Sequence, residues 1–168
     1  MRLLIIVDFQ NDFVDGALGF PEAKFLENKI YEKAKGYDNI VFTLDTHDEN
    51  YLNTQEGKNL PIKHCIRDSE GWQLYGKIKE LSGKKFIKNT FGSDELFEYL
   101  KNSNYQEIEI VGLVSNICVI ANAVLAKTAL PEAQIIVDAS CTDSYDKALH
   151  EKALDVMEGM QIKIINRG

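Results

Sequence analysis

The chain has 168 residues and a mass of 19.0 kDa, so we expect a single domain over residues 1–168. Hydrophobic residues make up 45% and charged residues 27%, and no apolar run approaches the roughly 18 residues of a membrane span. The net charge of -7 argues against a nucleic acid partner, and three widely spaced cysteines without an export signal favour a cytoplasmic location.

Short apolar runs alternate with helical segments along the chain. The apolar runs are rich in β-branched residues and predict six strands, over residues 2–8, 39–45, 85–89, 107–113, 134–139 and 161–166. Helical character is found over residues 22–35, 72–82, 94–101, 117–129 and 145–159. This alternation predicts an α/β fold, a three-layer α/β/α sandwich with a six-stranded, mostly parallel sheet. Residues 46–71 lack periodicity and are too long for an ordinary connection, which indicates a disordered or functional segment.

Polar side chains follow the ends of the first four predicted strands. Asp8, Asp45 and Lys88 end strands one, two and three, and Cys118 follows strand four by one turn. Ligands of open parallel sheets bind beyond the carboxyl ends of the strands. We therefore expect these four groups to face one crevice.

Three of these residues have the chemistry of nucleophilic catalysis, and each also has an ordinary structural explanation. Cys118 is expected on the first turn of a helix, where the N-terminal amides favour a thiolate, but it could be a small buried apolar residue. Asp8 could exchange protons with the thiol and a leaving amine, or only cap a loop. Lys88 could stabilise a thiolate or an oxyanion, or lie in solvent.

The segments "DTH" at 45–47 and "HC" at 64–65 indicate a metal site. Asp45 and His47 are two residues apart, hence on one side of an extended chain, and His64 would join them from the long loop. A mixed Asp/His set with open positions is typical of a metal that binds substrate or water. Glu56 is a possible fourth ligand, and Cys65 is interpreted as packing. The alternative is that these are ordinary polar loop residues.

Aromatic side chains flank the loops at the strand ends. Phe13, Phe91 and Trp72 could wall a small flat substrate, although core packing is the alternative for Trp72. Cys141 is interpreted as structural and His150 as a surface residue.

Three motifs resemble those of the cysteine hydrolases of the isochorismatase-like superfamily, and the resemblance is to its nicotinamidase-related branch. The motifs are "DFQNDF" at 8–13, "FIKNTFGS" at 86–93 and "GLVSNICV" at 112–119. They fall in the right order over nearly the whole chain. The resemblance implies that they supply a catalytic triad of Asp8, Lys88 and Cys118.

The implied activity is hydrolysis of a small amide to acid and ammonia, with nicotinamide or a related amide as substrate. In this scheme the Cys118 thiolate attacks the carbonyl, and the backbone N–H groups of Val114 and Cys118 hold the oxyanion. Asp8 transfers the proton to ammonia. The resemblance also implies a non-proline cis peptide between Leu113 and Val114.

The "DTH" and "HC" segments match the metal motif of the nicotinamidase branch. The resemblance thus implies a divalent metal, zinc first with iron or manganese as alternatives, on Asp45, His47 and His64. Glu56 corresponds to a ligand in some of these enzymes. A homo-oligomer, either a dimer or a tetramer, is a further expectation from the family.

The sequence departs from nicotinamidases around the expected substrate. Leu60 and Pro61 stand where Trp-Pro is common, and Asn116 and Ile117 replace an Asp and an aromatic residue ahead of the nucleophile. The expected substrate pocket consists of Phe13, Leu60, Phe91, Asn116 and Ile117.

Two other readings stay open on the sequence alone. One is an isochorismatase-type hydrolase of another small substrate, although that branch lacks the nucleophilic cysteine and the metal motif. The other is a catalytically silent metal-binding or interaction domain on the same fold.

Overall fold

A computed structural model describes all residues from 1 to 168 and contains one six-stranded sheet. Its strands are β1 Arg2–Val7, β2 Ile40–Asp45, β3 Lys84–Lys88, β4 Glu107–Leu113, β5 Gln134–Asp143 and β6 Lys163–Ile165. The order is β3-β2-β1-β4-β5-β6, and every neighbouring pair is parallel. All six predicted strands are confirmed. β5 runs beyond its predicted end because its pairing with β4 resumes at Gly112 after a register shift.

The α-helices are α1 Asn11–Val14, α2 Leu26–Ala34, α3 Gln55–Asn59, α4 Asp94–Lys101, α5 Ile120–Ala129 and α6 Lys147–Gly159. Four predicted helices correspond to α2, α4, α5 and α6. The predicted helix over residues 72–82 is wrong, since two 3-10 segments stand there, Glu70–Trp72 and Gly76–Glu80. Gly76 has a φ of 52°, and a left-handed residue cannot continue an α-helix.

The sheet is covered on both faces, which gives the predicted three layers. Alternate residues of β1 face opposite sides, so Leu3 packs in a core with α4, α5 and α6, whereas Leu4 packs in a second core with α2. No helix is both long and apolar enough to cross a membrane.

The region between β2 and β3 is ordered around a buried tyrosine. The Tyr51 side chain is fully buried, and its hydroxyl donates to the Leu60 carbonyl at 2.9 Å. The Thr54 hydroxyl caps α3 by accepting from the Gly57 N–H at 3.0 Å. Gly57 has no side chain to collide with the Tyr51 carbonyl. The functional alternative for residues 46–71 is therefore favoured over disorder.

The strand order places a crevice at one end of the sheet. Successive strands run outward from β1 to β3, and the chain then returns to place β4 on the other side of β1. Such a reversal leaves a gap beyond the carboxyl ends of the two central strands. Asp8 directly follows β1, and Cys118 lies five residues after β4.

Candidate active site

The structure brings Asp8, Lys88 and Cys118 into contact at the end of the sheet. Lys88 Nζ donates to Asp8 Oδ2 at 2.7 Å and lies 3.5 Å from Cys118 Sγ. The three residues are shielded from solvent, with relative exposures of 0% for Asp8, 4% for Lys88 and 6% for Cys118. A carboxylate, an ammonium and a thiol from three separate parts of the sequence thus form one buried cluster.

Asp8 is held by the neighbouring strand β2. Its backbone has a φ of 46° and its N–H donates to the Thr43 carbonyl at 3.0 Å. The Thr43 hydroxyl donates to Asp8 Oδ1 at 2.7 Å, so both carboxylate oxygens have a donor. Thr43 was not among the residues predicted from the sequence, although it is the one hydroxyl in the run "IVFTL".

Lys88 is anchored at the end of β3 and remains charged. Its ammonium donates to the Thr90 carbonyl at 3.0 Å and lies 3.7 Å from Asp45 Oδ1. Burial acts to lower the pKa of Lys88, but the surrounding charges, led by Asp8, raise it above its usual range. A fixed positive charge therefore stands beside the sulfur.

Burial and the neighbouring ammonium act in opposite directions on the thiol of Cys118. Burial raises the pKa of Cys118 well above its usual range, although the Lys88 ammonium acts in the opposite direction. Burial therefore opposes the effect that the sequence led us to expect from the helix amides, and the thiolate form stays a prediction. Burial also raises the pKa of the Asp8 carboxyl, against the effect of Lys88, and this makes Asp8 a stronger base.

The chain around the nucleophile has an unusual backbone. Ser115–Val119 is a π-helical segment that precedes α5, and the Leu113–Val114 peptide is cis, as the family resemblance implied. The Val114 carbonyl accepts from the N–H groups of Ile117 and Val119, at 3.1 and 3.2 Å. The Val114 N–H itself pairs with no protein acceptor.

A second cluster, formed by Asp45, His47 and His64, lies beside the first. Each offers one ligand atom, and these three atoms lie within 4.8 Å of one another. Asp45 Oδ2 is 3.0 Å from His47 Nε2 and 3.3 Å from His64 Nε2. Glu56 Oε2 approaches the same two nitrogens at 3.5 and 3.7 Å. The three predicted ligands therefore converge, with Glu56 at their edge.

The donor set fits a divalent metal. His64 Nδ1 lies 2.8 Å from the Ile62 carbonyl, which can only accept, so this nitrogen carries the proton and Nε2 points its lone pair at Asp45. A nitrogen lone pair and a carboxylate oxygen repel each other, so a cation between the two atoms is needed to stabilise this arrangement. Burial acts to lower the pKa of His64, but the bonds to Asp45 and Ile62 raise it, so a proton can take this place.

Gln10 fixes Asp45 through its backbone. The Gln10 side chain donates to the Asp45 carbonyl and accepts from the Asp45 N–H, both at 2.9 Å, and donates to Trp72 O. Burial acts to raise the pKa of Asp45, but the bonds from His47 and His64 lower it below its usual range. Asp45 is therefore an anion. Gln10 was not predicted, although it lies within the motif "DFQNDF" that contains Asp8.

A cavity of about 510 Å³ opens beside the metal-type cluster. Its lining is almost wholly polar and includes Thr46, His47, Glu56, Arg67, Asn89 and Thr90. None of the five predicted pocket residues lines it. The centroids of the Phe13 and His64 rings are 5.6 Å apart. Leu60 and Phe91 are exposed, and Asn116 and Ile117 are half-buried on the π-helical segment.

Two further polar residues contact the nucleophile segment. Asn122 is fully buried and bonds to the Cys118 carbonyl at 2.8 Å, and its signal was a single amide in the apolar helix "VIANAVLA". His150 is not the surface residue that we expected, because its Nδ1 lies 2.7 Å from Ser115 Oγ.

Cys65 and Cys141 are buried, in agreement with the packing role inferred for them.

Comparison with known proteins places this site in a family. The isochorismatase domain family matches residues 2–167. The nicotinamidase/pyrazinamidase of Mycobacterium tuberculosis is 25% identical over 186 residues, which cover 98% of this chain and 98% of that protein. The chain therefore belongs to the isochorismatase family.

Solved structures agree with this assignment. The nicotinamidase of Bacillus subtilis superimposes with a TM-score of 0.85 at 25% identity, over 97% of this chain and 98% of that one. The pyrazinamidase of Pyrococcus horikoshii in complex with zinc gives a TM-score of 0.83 at 26% identity, over 98% of each chain. The predicted α/β fold is confirmed.

Proposed function

We propose that the protein is a cysteine-dependent amidohydrolase that converts nicotinamide, or a closely related small amide, into the acid and ammonia. The observation that carries the proposal is the buried contact of Asp8, Lys88 and Cys118. It lies beside a metal-type cluster in a chain whose relatives include nicotinamidases. The two enzymatic features and the family point to one reaction class.

The first half of the reaction forms a thioester. Asp8 takes the proton of the Cys118 thiol, and the sulfur attacks the amide carbonyl carbon. The backbone N–H groups of Val114 and Cys118 stabilise the negative charge on the carbonyl oxygen, and the unpaired Val114 N–H is available for this. The C–N bond then breaks, and the departing nitrogen takes the proton from Asp8 and leaves as ammonia.

The second half hydrolyses the thioester. Asp8, again a carboxylate, accepts a proton from a water molecule whose oxygen attacks the same carbon. The C–S bond breaks, the carboxylic acid is released and the sulfur recovers its proton. Lys88 stays charged throughout and balances the negative charge that alternates between Asp8 and the sulfur.

We also propose that Asp45, His47 and His64 hold a divalent metal, zinc before iron or manganese, with Glu56 as an additional oxygen donor. The convergence of the ligand atoms supports this, as does the zinc complex of the Pyrococcus horikoshii relative. A bound metal supplies a Lewis acid that orients a ring nitrogen or a water molecule. The chain would hold it through two imidazole nitrogens and carboxylate oxygens.

A panel of amides tests the proposed substrate. Ammonia release is measured with nicotinamide, pyrazinamide and benzamide, of which the last has no ring nitrogen. We expect turnover of the first two and at least about tenfold weaker kcat/KM for benzamide, since one lost interaction with a buried polar group costs this much or more. No turnover of any ring amide would contradict the proposal.

The polar cavity favours a second candidate substrate, an amide that carries a carboxylate. Arg67 lines this cavity, and its guanidinium makes no ion pair or side-chain hydrogen bond. Asparagine and glutamine therefore belong in the panel. Preference for them over nicotinamide, lost in Arg67→Gln, would support this alternative.

A further inference from the structure

Asn122 connects the nucleophile helix to the loop that follows β3. It is fully buried in α5, four residues after Cys118. Its Nδ2 donates to the Cys118 carbonyl at 2.8 Å and to the Phe91 carbonyl at 3.1 Å, and its Oδ1 accepts from the Ser93 N–H at 3.0 Å. One side chain therefore joins backbone groups of two segments that are far apart in the sequence.

These three partners require a carboxamide at this position. Two backbone carbonyls need two donors, and the Ser93 N–H needs an acceptor. A carboxylate lacks the donors, and a hydroxyl is too short to reach the loop and its own helix together. A core position on an apolar helix is an unfavourable place for an amide unless all its groups are paired, as they are here.

The loop that Asn122 holds is the one that positions Lys88. Between the end of β3 and the start of α4, the Thr90 carbonyl accepts from Lys88 Nζ at 3.0 Å. The next residue, Phe91, supplies one of the carbonyls that Asn122 binds. One turn further along α5, Leu125 packs so closely on Gly92 that a side chain there would collide with it. The loop is thus fixed on α5 at two neighbouring points.

We infer that Asn122 is a positioning residue that sets the separation between Lys88 and Cys118. It contacts neither the ammonium nor the sulfur, but it binds the Cys118 carbonyl on one side and the loop with Thr90 on the other. The 3.5 Å distance from Lys88 Nζ to Cys118 Sγ depends on this connection. The catalytic part of this inference rests on the proposed function, whereas the geometric part does not.

The test uses Asn122→Ala and the milder Asn122→Ser in the full-length protein. A serine hydroxyl can bond to the carbonyl four residues earlier but cannot reach the loop. Ile30→Ala is the matched control, because Ile30 is fully buried in α2 on the opposite face of the sheet. It should lower Tm by a comparable amount, and the core cluster in which it lies does not include Cys118.

Two readouts are taken. The rate of iodoacetamide alkylation of Cys118, identified by peptide mass, is measured against pH, and kcat and KM are measured on the amide that wild type hydrolyses. We expect both Asn122 variants to be alkylated roughly tenfold more slowly near neutral pH, with the profile displaced upward by about one unit. We expect kcat to fall about ten- to a hundredfold with little change in KM. Ile30→Ala should match wild type in both.

The outcomes separate this inference from the proposed function. If wild type hydrolyses no amide but alkylation still slows in the Asn122 variants, the proposed function fails and the positioning role stands. If Asn122→Ala does not fold, Asn122→Ser decides. A folded Asn122 variant with the alkylation profile of wild type would overturn the inference, as would equal slowing in Ile30→Ala.

Discussion

At the scale of single residues, the site depends on charges that are buried together. Lys88 is the only cation within the cluster, and it faces Asp8, Asp45 and Cys118 at distances between 2.7 and 3.7 Å. Because the cluster is shielded from solvent, each electrostatic interaction within it is stronger than it would be in water. Small changes of charge at these positions should therefore have large effects on rate.

Asp8→Asn removes the proposed base and keeps the shape of the side chain. Asparagine tolerates the left-handed backbone found at this position, so the variant should fold. We expect kcat to fall about 10²- to 10⁴-fold, since no other carboxylate bonds to Lys88 within 3 Å. Steady-state assays with circular dichroism as the folding control check this. Activity within a few-fold of wild type would remove Asp8 from the proton transfer.

The sequence patterns predicted which chemical groups form the cluster, but they did not predict the pKa values or the hydrogen-bond partners of these groups. The strand-end positions of Asp8, Lys88 and Cys118 predicted that they meet, because the parallel alternation of strands is visible in the apolar runs. The raised pKa of the Cys118 thiol could not be foreseen, since it depends on burial by side chains distant in sequence. The contacts of Thr43 and His150 were missed for the same reason.

At the scale of elements, the end of β4 determines where the nucleophile segment begins. Gly112 has a φ of 116°, and any side chain on it would collide with the backbone of Val7 in β1. The backbones of β1 and β4 therefore approach each other closely directly ahead of Leu113 and Val114. No sequence pattern shows this close approach, because it depends on the register of β4 against β1.

Gly112→Ala should lower the free energy of unfolding by about 2 kcal/mol or more, through backbone strain and the collision with Val7. Gly159→Ala is the matched control, since Gly159 lies in α6 with no atom close to the place of a side chain. It should be neutral or slightly stabilising. Urea denaturation of the two variants checks this, and equal stability of both would refute the role given to Gly112.

The segment between β2 and β3 carries His47 and His64 to Asp45 at the end of β2, and we expect these three residues to bind a metal. Purified protein should carry about one divalent metal ion per chain, and Asp45→Ala should lose most of it, because Asp45 Oδ2 faces both histidines. Glu49→Ala, an exposed acid of the same segment, serves as control and should keep the metal. Elemental analysis decides, and unchanged metal in Asp45→Ala would exclude Asp45 as a ligand.

At the scale of the whole molecule, a second group of charges lies away from the site and contains two buried carboxylates. Lys33 on α2 pairs with Glu109 of β4 at 2.5 Å and with Asp138 of β5 at 2.9 Å, and it thereby ties a helix to two strands. Burial acts to raise the pKa of Asp138, but the bond from Lys33 and others lower it. Ionised Asp138 thus stabilises the fold above its unfolded pKa of about 3.9, and this is lost as pH falls through the folded value.

Lys33→Met should lower the free energy of unfolding by about 3 kcal/mol at neutral pH, because it leaves two buried carboxylates without their cation. The difference from wild type should narrow as the pH falls through the folded pKa of Asp138, because the protonated carboxyl no longer needs the cation. Lys35→Met is the control and should change stability little, because the only ion pair of Lys35 is with the exposed Glu32. Thermal melts across the acid range check this, and a difference independent of pH would contradict the account.

The most direct test of the whole account is ammonia release by Cys118→Ala, measured beside wild type on the best amide of the panel. We predict that turnover falls at least about a thousandfold while the protein stays folded, since the only sulfur that contacts Lys88 is gone. Acid-quenched wild type should carry the acyl group on the peptide that contains Cys118. Hydrolysis by Cys118→Ala at a rate near that of wild type would contradict it.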